Sequence, residues 1–478
     1  MTVTAPTAIG PKAWAAAIAT PAQEFGRTAL SVVAGQVPPQ LRGTLYRNGP
    51  ARFERQGQRV GHWFDGDGAV LAIAIADGQA WGTYQYVRSA GYCDEESADQ
   101  YLYSGYGTLA PGSVWQRWSA QLKNAANTAV MVLPDRVLAL WEGGWPHQLD
   151  PKTLETRGAD SLGDLGANET YSAHPKRHPT TGHWFNFGIV AGANATLNLY
   201  RSHPNGTLEK KHHIPLNGIP LIHDFVLTNR YLVFCVPPVR LNALPAVLGL
   251  RSFSDALMWQ PKRGTQIIVV DAETFEVVAC EEVEPWFQWH FGHGYLTADG
   301  EVVLHVVRYA DFQTNQQLKE IASGQIQTHA PSQFWQLRLN PDRGTVEEQQ
   351  CLVAEHCEFP VTQGDVSLPI APSYLSIHRD RADTTGELFG AIAQFDPVRG
   401  QLTRADAGSH RYPCEPIYAP NPEHPGTGWV LTVVYDGTQH SSELWIYASD
   451  RLADGPLCRL ALPAVIPPSF HGAWQPAR

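Results

Sequence analysis

A chain of 478 residues, 43% of them apolar and only 17% charged, has ample material for a large core and little for long solvated helices. Its 35 basic and 46 acidic residues leave a net charge of −11, which excludes a general electrostatic grip on nucleic acid. No apolar stretch reaches the ~18 residues of a membrane-spanning helix, and Ala13-Trp-Ala-Ala-Ala-Ile-Ala19 is too short and poorly flanked for a secretory signal.

Residues 1–40 read as a partly helical N-terminal extension, and 41–478 as a single domain built from short strands. Seven cysteines without a CxxC pair point to buried, reduced thiols in a cytoplasmic protein. From residue 149 on, one kind of turn recurs between β-rich runs: Leu149-Asp-Pro-Lys-Thr-Leu-Glu155, His203-Pro-Asn-Gly-Thr-Leu-Glu209, Val270-Asp-Ala-Glu-Thr-Phe-Glu276, Leu339-Asn-Pro-Asp-Arg-Gly-Thr-Val346, Phe395-Asp-Pro-Val-Arg-Gly-Gln-Leu402 and, more weakly, Ala453-Asp-Gly-Pro456. Asp or Asn opens such turns by accepting hydrogen bonds from its own backbone, and Gly and Pro supply the required φ values. The flanks, such as Gln266-Ile-Ile-Val-Val270 and Phe275-Glu-Val-Val278, read as strands. A repeat of this length with about four strands is a propeller blade. The expected fold is therefore all-β, a propeller of about seven blades; a large β-sandwich with coincidental turns is the alternative.

Each turn is followed at nearly constant distance by His or Glu. His223 lies 18 residues beyond Asn205, His290 19 beyond Asp271, Glu358 18 beyond Asn340, Glu415 19 beyond Asp396 and His471 17 beyond Asp454, while His174 lies 24 beyond Asp150. Constant phase means constant radial position, at the start of the next blade's inner strand. The six side chains should thus converge on the axis. Converging neutral imidazoles suit a first-row divalent ion, and buried carboxylates fit behind them, each accepting the second ring N–H of a histidine. The pattern leaves iron, zinc, manganese and copper open. His178, His203, His212, His213, His329, His410 and His424 lie in polar settings and are set aside.

The stretches Gly43-Thr-Leu-Tyr-Arg-Asn-Gly-Pro50, Phe64-Asp-Gly-Asp-Gly68, Ala126-Asn-Thr128, Leu138-Ala-Leu-Trp-Glu-Gly-Gly144, Ser172-Ala-His-Pro175, Ile222-His-Asp-Phe225, Glu358-Phe-Pro360, Cys414-Glu-Pro416 and Phe470-His-Gly-Ala-Trp474 resemble, in this order, the carotenoid cleavage oxygenases, most nearly their cyanobacterial apocarotenoid-cleaving branch. The resemblance implies a seven-bladed propeller under a dome of loops and short helices, with one Fe(II) held by His174, His223, His290 and His471. It adds Glu142, which the phase count misses, and implies that Glu142 holds His223, Glu358 holds His290 and Glu415 holds His471, with no carboxylate for His174. The family's third histidine motif has Asn where this chain has His293; the phase and the preceding Trp289 favour His290 as the ligand. The implied reaction splits an electron-rich double bond of a conjugated chain with O2 into two aldehydes, without reductant or organic cofactor.

Phe64, Trp141 and Trp289 are candidate walls of an apolar substrate tunnel, and Thr128 is either a screen beside the metal or a strand-end hydroxyl bonded to backbone. A stilbenoid-cleaving branch of the family carries Lys where this chain has Trp141, so a carotenoid-derived substrate is expected; that it is an apocarotenal or apocarotenol cleaved at the 15,15′ bond to give retinal is what the resemblance implies. The alternatives are a stilbenoid-cleaving dioxygenase, an isomerase of the same fold and a propeller lactonase. Segments Val114–Leu122 and Leu241–Trp259, with Leu244, Val247, Leu248, Leu250, Phe253, Leu257 and Trp259, are candidates for peripheral membrane contact at the tunnel mouth.

Overall fold

The computed structural model describes residues 12–118, 122–363, 371–380 and 384–477. Seven sheets of four to six strands follow one another along the chain and form the blades of a propeller. Blade two, for example, runs Ala129–Val132, Val137–Leu140, His147–Leu149 and Thr156–Ala159, and blade five runs Phe291–Leu296, Val302–Tyr309, Ser332–Asn340 and Thr345–Val353. Both faces of a blade's middle strands pack on neighbours. That is why Thr265–Asp271 in blade four reads as a continuous apolar run rather than an alternating one. Between blades four and five, Val233, Ile267 and Val269 meet Val302, Leu304, Val306 and Leu337, each burial contributing about 1.5–3 kcal/mol.

The recurrent turns join the third and fourth strands of their blades. Asp271 Oδ1 accepts from the backbone N–H of Glu273 and Thr274, and Asp150, Asn340 and Asp396 do the same in their own turns. The ring closes at two places. Gly472–Pro476 pairs with Gly43–Arg52 as the innermost strand of blade one, and Ser31–Gly35 pairs with Cys458–Ala461 as the outermost strand of blade seven. Phe25–Ala29 adds a further edge to blade one. The propeller therefore takes in residues before 41 that the sequence placed in an extension; their exposed, turn-rich composition hides their pairing. Helical character in that stretch is confined to a 3-10 helix, Ala13–Ile18, and residues 1–11 lie outside the described residues.

Short helices, Phe253–Ala256 and Gln313–Ile321 among them, roof one face of the ring. No helix among the described residues is long and apolar enough to cross a membrane.

Burial holds five histidines outside the axial cluster uncharged: His62 and His356 are pushed down to about 3, and His147, His305 and His378 to about 4. Unfolded, each titrates near 6.5, so the folded state binds fewer protons below that pH. The stability they contribute is complete above pH 6.5 and is lost as pH falls toward 4, by up to about 1.4 kcal/mol per group per pH unit. The melting temperature should fall steadily from pH 7 to 4.5, and a His147→Gln variant should show a shallower decline in the same thermal melts.

Candidate metal centre and substrate cavity

Every blade brings one residue to the axis at the start of its innermost strand. From blade two round to blade one these are Thr128, His174, His223, His290, Glu358, Glu415 and His471. Four of the seven are histidines, and their ring nitrogens converge. His174 Nε2 stands 3.0 Å from His223 Nε2, which stands 3.3 Å from His290 Nε2, which in turn stands 3.1 Å from His471 Nε2. Ligands about 2.1 Å from a shared ion are about 3.0 Å apart at right angles and about 3.4 Å apart in a tetrahedron. The donor set therefore fits one divalent metal ion. Burial, with the neighbouring imidazoles adding to it, holds His174 and His290 well below the usual histidine range, which leaves neutral donors. Burial also acts to lower His223, but the charges of Glu142 and Asp224 carry it above the ordinary value.

Carboxylates stand behind three of the rings. His290 Nδ1–H donates to Glu358 Oε2 at 2.5 Å and His471 Nδ1–H to Glu415 Oε1 at 2.8 Å. Glu142 Oε1 approaches His223 Nδ1 to 3.3 Å. These contacts fix each ring's orientation and leave Nε2 facing the axis. Burial pushes the Glu358 carboxyl up to about 7, against the hydrogen bonds it accepts from Phe359 N and the Tyr309 hydroxyl. Around His174 the nearest carboxylate oxygen, Asp224 Oδ1, is 3.8 Å from Nδ1, beyond hydrogen-bond distance.

Several participants have no signal in the turn phase. Buried Asp224 accepts from the backbone N–H of Phe225 and Phe291 and pairs with Lys176 at 2.8 Å. It thus ties the segment carrying His223 to the strand following His290. Tyr309 donates to Glu358 Oε1 from the far end of its own strand. Phe359, at φ +54°, lays its ring over His290 with centroids 5.2 Å apart; so uncommon a conformation for an aromatic residue marks a site held in place by its surroundings.

His290 joins the cluster, and His293 does not. A register shift between Phe291 and Gly294 places His293 inside blade five, stacked on Tyr295 at 5.3 Å and 6.3 Å from His305.

Above the imidazoles lies a cavity of about 680 Å³. Phe64, Thr128, Trp141 and Trp289 all line it. Trp289 packs edge-on against His223 (5.1 Å) and Phe64 (5.5 Å), with its N–H donated to Thr314. The Thr128 hydroxyl donates to Asn127 Oδ1 rather than to backbone, while the Thr128 carbonyl accepts from His471 N. Among the described lining residues there is no Lys or Arg. A second cavity of about 600 Å³ opens on the opposite face, so that His174 looks into it and His290 and His471 border both.

Leu122 and Phe253 sit at the rim of the large cavity, beside an apolar patch. Trp115 (76% exposed), Leu244 (69%) and Val247 (58%) face outward with Leu250, and Gly249 packs on Arg117 to join the two segments. Two expectations need correction. Phe253 turns inward against Tyr106 and Leu248 is half-buried, because the helices are single turns whose inner faces cover the cavity. Residues 119–121 and the Trp118 side chain lie outside the described residues.

A propeller whose axis carries four imidazoles, three of them backed by carboxylates, beneath an apolar cavity is built to hold a metal ion beside an apolar ligand. The chain belongs to the retinal pigment epithelial membrane protein (RPE65) family, the family of the carotenoid cleavage oxygenases, whose profile matches residues 18–476. It is 32% identical to the apocarotenoid-15,15′-oxygenase of Synechocystis sp. over 92% of both chains. It is 26% identical to resveratrol cleavage oxygenase 1 of Aspergillus fumigatus over 93% of this chain and 92% of the relative. The crystal structure of cobalt-substituted Synechocystis ACO superposes with a TM-score of 0.88 at 31% identity, covering 97% of this chain and 98% of that one.

Proposed function

We propose that this oxygenase is a non-haem iron(II) dioxygenase that splits the 15,15′ double bond of apocarotenals and apocarotenols, giving retinal and a second aldehyde. The observation that carries this reading is the four-imidazole cluster at the floor of a large, mainly apolar cavity with no Lys or Arg among its described lining residues. His174, His223, His290 and His471 would hold the iron, with Glu142, Glu358 and Glu415 fixing three of the rings. Bound there, ferrous iron supplies the capacity to activate O2, and the polyene supplies the electrons.

The protein's own part is to exclude water and to hold the chain across the centre. Phe64, Trp141 and Trp289 form flat apolar walls suited to a conjugated backbone. The Trp141 indole offers no charge to a phenolate, which favours a carotenoid-derived substrate over a stilbenoid. Thr128, its hydroxyl held by Asn127 and its carbonyl by His471 N, would screen the metal from one side.

The test is O2 uptake by iron-loaded protein supplied with an apocarotenal, with resveratrol run in parallel and products separated chromatographically. Uptake matched to retinal formation, and abolished in His223→Ala, is expected. Stilbene cleavage would transfer the reading to phenolic substrates, and retention of iron without uptake would point to isomerisation.

Such substrates dissolve in bilayers, and we infer that the cytoplasmic enzyme docks peripherally through Trp115, Leu244, Val247 and Leu250. The double variant Leu244→Asp/Val247→Asp should lose flotation with liposomes while keeping turnover of detergent-solubilised substrate. Unchanged flotation would remove the docking assignment.

A further inference from the structure

A second group of side chains able to ligate a metal ion, His183, His203 and Glu209, stands in blade three away from the axis. Trp184 pairs with Ser202 across the middle of blade three, so His183 and His203, one step further out, come from facing strands. The register shift between Arg201 and Ser202 makes Glu209 the extra residue of a bulge, a device that re-aims a side chain. Here it brings Glu209 Oε2 to 3.3 Å from His183 Nε2. The two imidazole centroids are 5.8 Å apart, and one donor atom from each of the three residues lies within 4.8 Å of the others.

The carboxylate is already oriented. Arg201 donates to both of its oxygens, at 3.0 and 3.4 Å, and is itself anchored to Glu273 at 2.8 Å. A carboxylate has about four lone-pair positions, so the guanidinium braces Glu209 without using all of them, as hydrogen-bonded partners brace ligating carboxylates generally. His203 is exposed and free to swing the remaining distance by side-chain rotation.

We propose that His183, His203 and Glu209 form a second metal site, solvent-facing and exchangeable, that takes a first-row divalent ion. Two imidazoles and one carboxylate leave the remaining positions to water, and such a set binds later first-row ions, zinc, nickel and copper, more readily than iron or manganese. Its place gives it a relation to the axial centre. Trp184 and Pro204, the chain neighbours of the two histidines, line the cavity that His174, His290 and His471 border from within.

The site is tested by calorimetric titration of Zn2+ into protein whose axial site is already iron-loaded. Wild type is expected to bind one Zn2+ more than His203→Ala, with iron content equal in both. Glu209→Gln should weaken that binding at least about tenfold. All three residues are exposed or half-buried, so folding is preserved, and thermal melts without added zinc check this. A His471→Ala protein separates the sites: it should keep the exchangeable zinc while losing iron. Zinc binding unchanged in His203→Ala, or lost in His471→Ala, would overturn the proposal, and either result leaves the oxygenase reading untouched.

Discussion

Replacing His290 with alanine is expected to strip the iron and abolish O2 uptake, while His293→Asn leaves both close to wild type. His290 Nε2 lies within 3.3 Å of two other imidazole nitrogens and its Nδ1–H is taken by Glu358. Its loss removes one donor of four and leaves a buried carboxylate without its partner. The fall in activity should exceed the 10–100-fold typical of losing a partner behind a ligand. His293 is aimed into blade five, so an amide there disturbs packing and not the centre. Iron analysis and an oxygen electrode decide the matter: iron lost from His293→Asn and kept in His290→Ala would reverse the assignment.

Glu358→Ala should lower iron affinity 10–100-fold while the fold survives. One carboxylate orients His290, receives the Tyr309 hydroxyl at 2.9 Å and accepts from Phe359 N at 2.8 Å. Without it the imidazole is free to rotate, and two buried donors lose their acceptor, each at a cost of about 1–3 kcal/mol. Tyr309→Phe removes only one of these bonds and should cost far less. Competition for iron against a chelator, read for the three proteins together, measures the ordering; equal affinities would show that His290 is held by packing alone.

The axial ring was legible because a propeller converts sequence phase into radius. Anchors and axial residues alternate at 18 or 19 residues for His223, His290, Glu358 and Glu415, and each does stand at the start of an inner strand. Glu142 escaped the count because it follows the second strand of its blade, Val137–Leu140. Thr128 holds the same place in blade two as the histidines hold elsewhere, but the dome segments between Tyr86 and Ala129 conceal the interval. Asp224 and Tyr309 act through contacts between blades, which no local pattern encodes. At the apolar surface patch, the sequence locates the segments that carry exposed Trp115, Leu244, Val247 and Leu250, whereas the choice between Leu248 and Leu244 depended on which side of a single helical turn faces the cavity.

Closure of the ring and completion of the metal centre are one event. His471 immediately precedes Gly472–Pro476, the strand that returns from blade seven to the inner edge of blade one. Until that strand is seated, the fourth imidazole has no fixed place, and only His174, His223 and His290 are available. An ion that prefers the four-nitrogen cage therefore acts as a latch, adding its binding energy to the seam; occupancy at a hundred times the dissociation constant is worth about 2.7 kcal/mol. A chain leaving the ribosome offers at most three of the four imidazoles until its last strand is in place. Tight retention of an ion in the four-nitrogen cage would then report that the ring has shut.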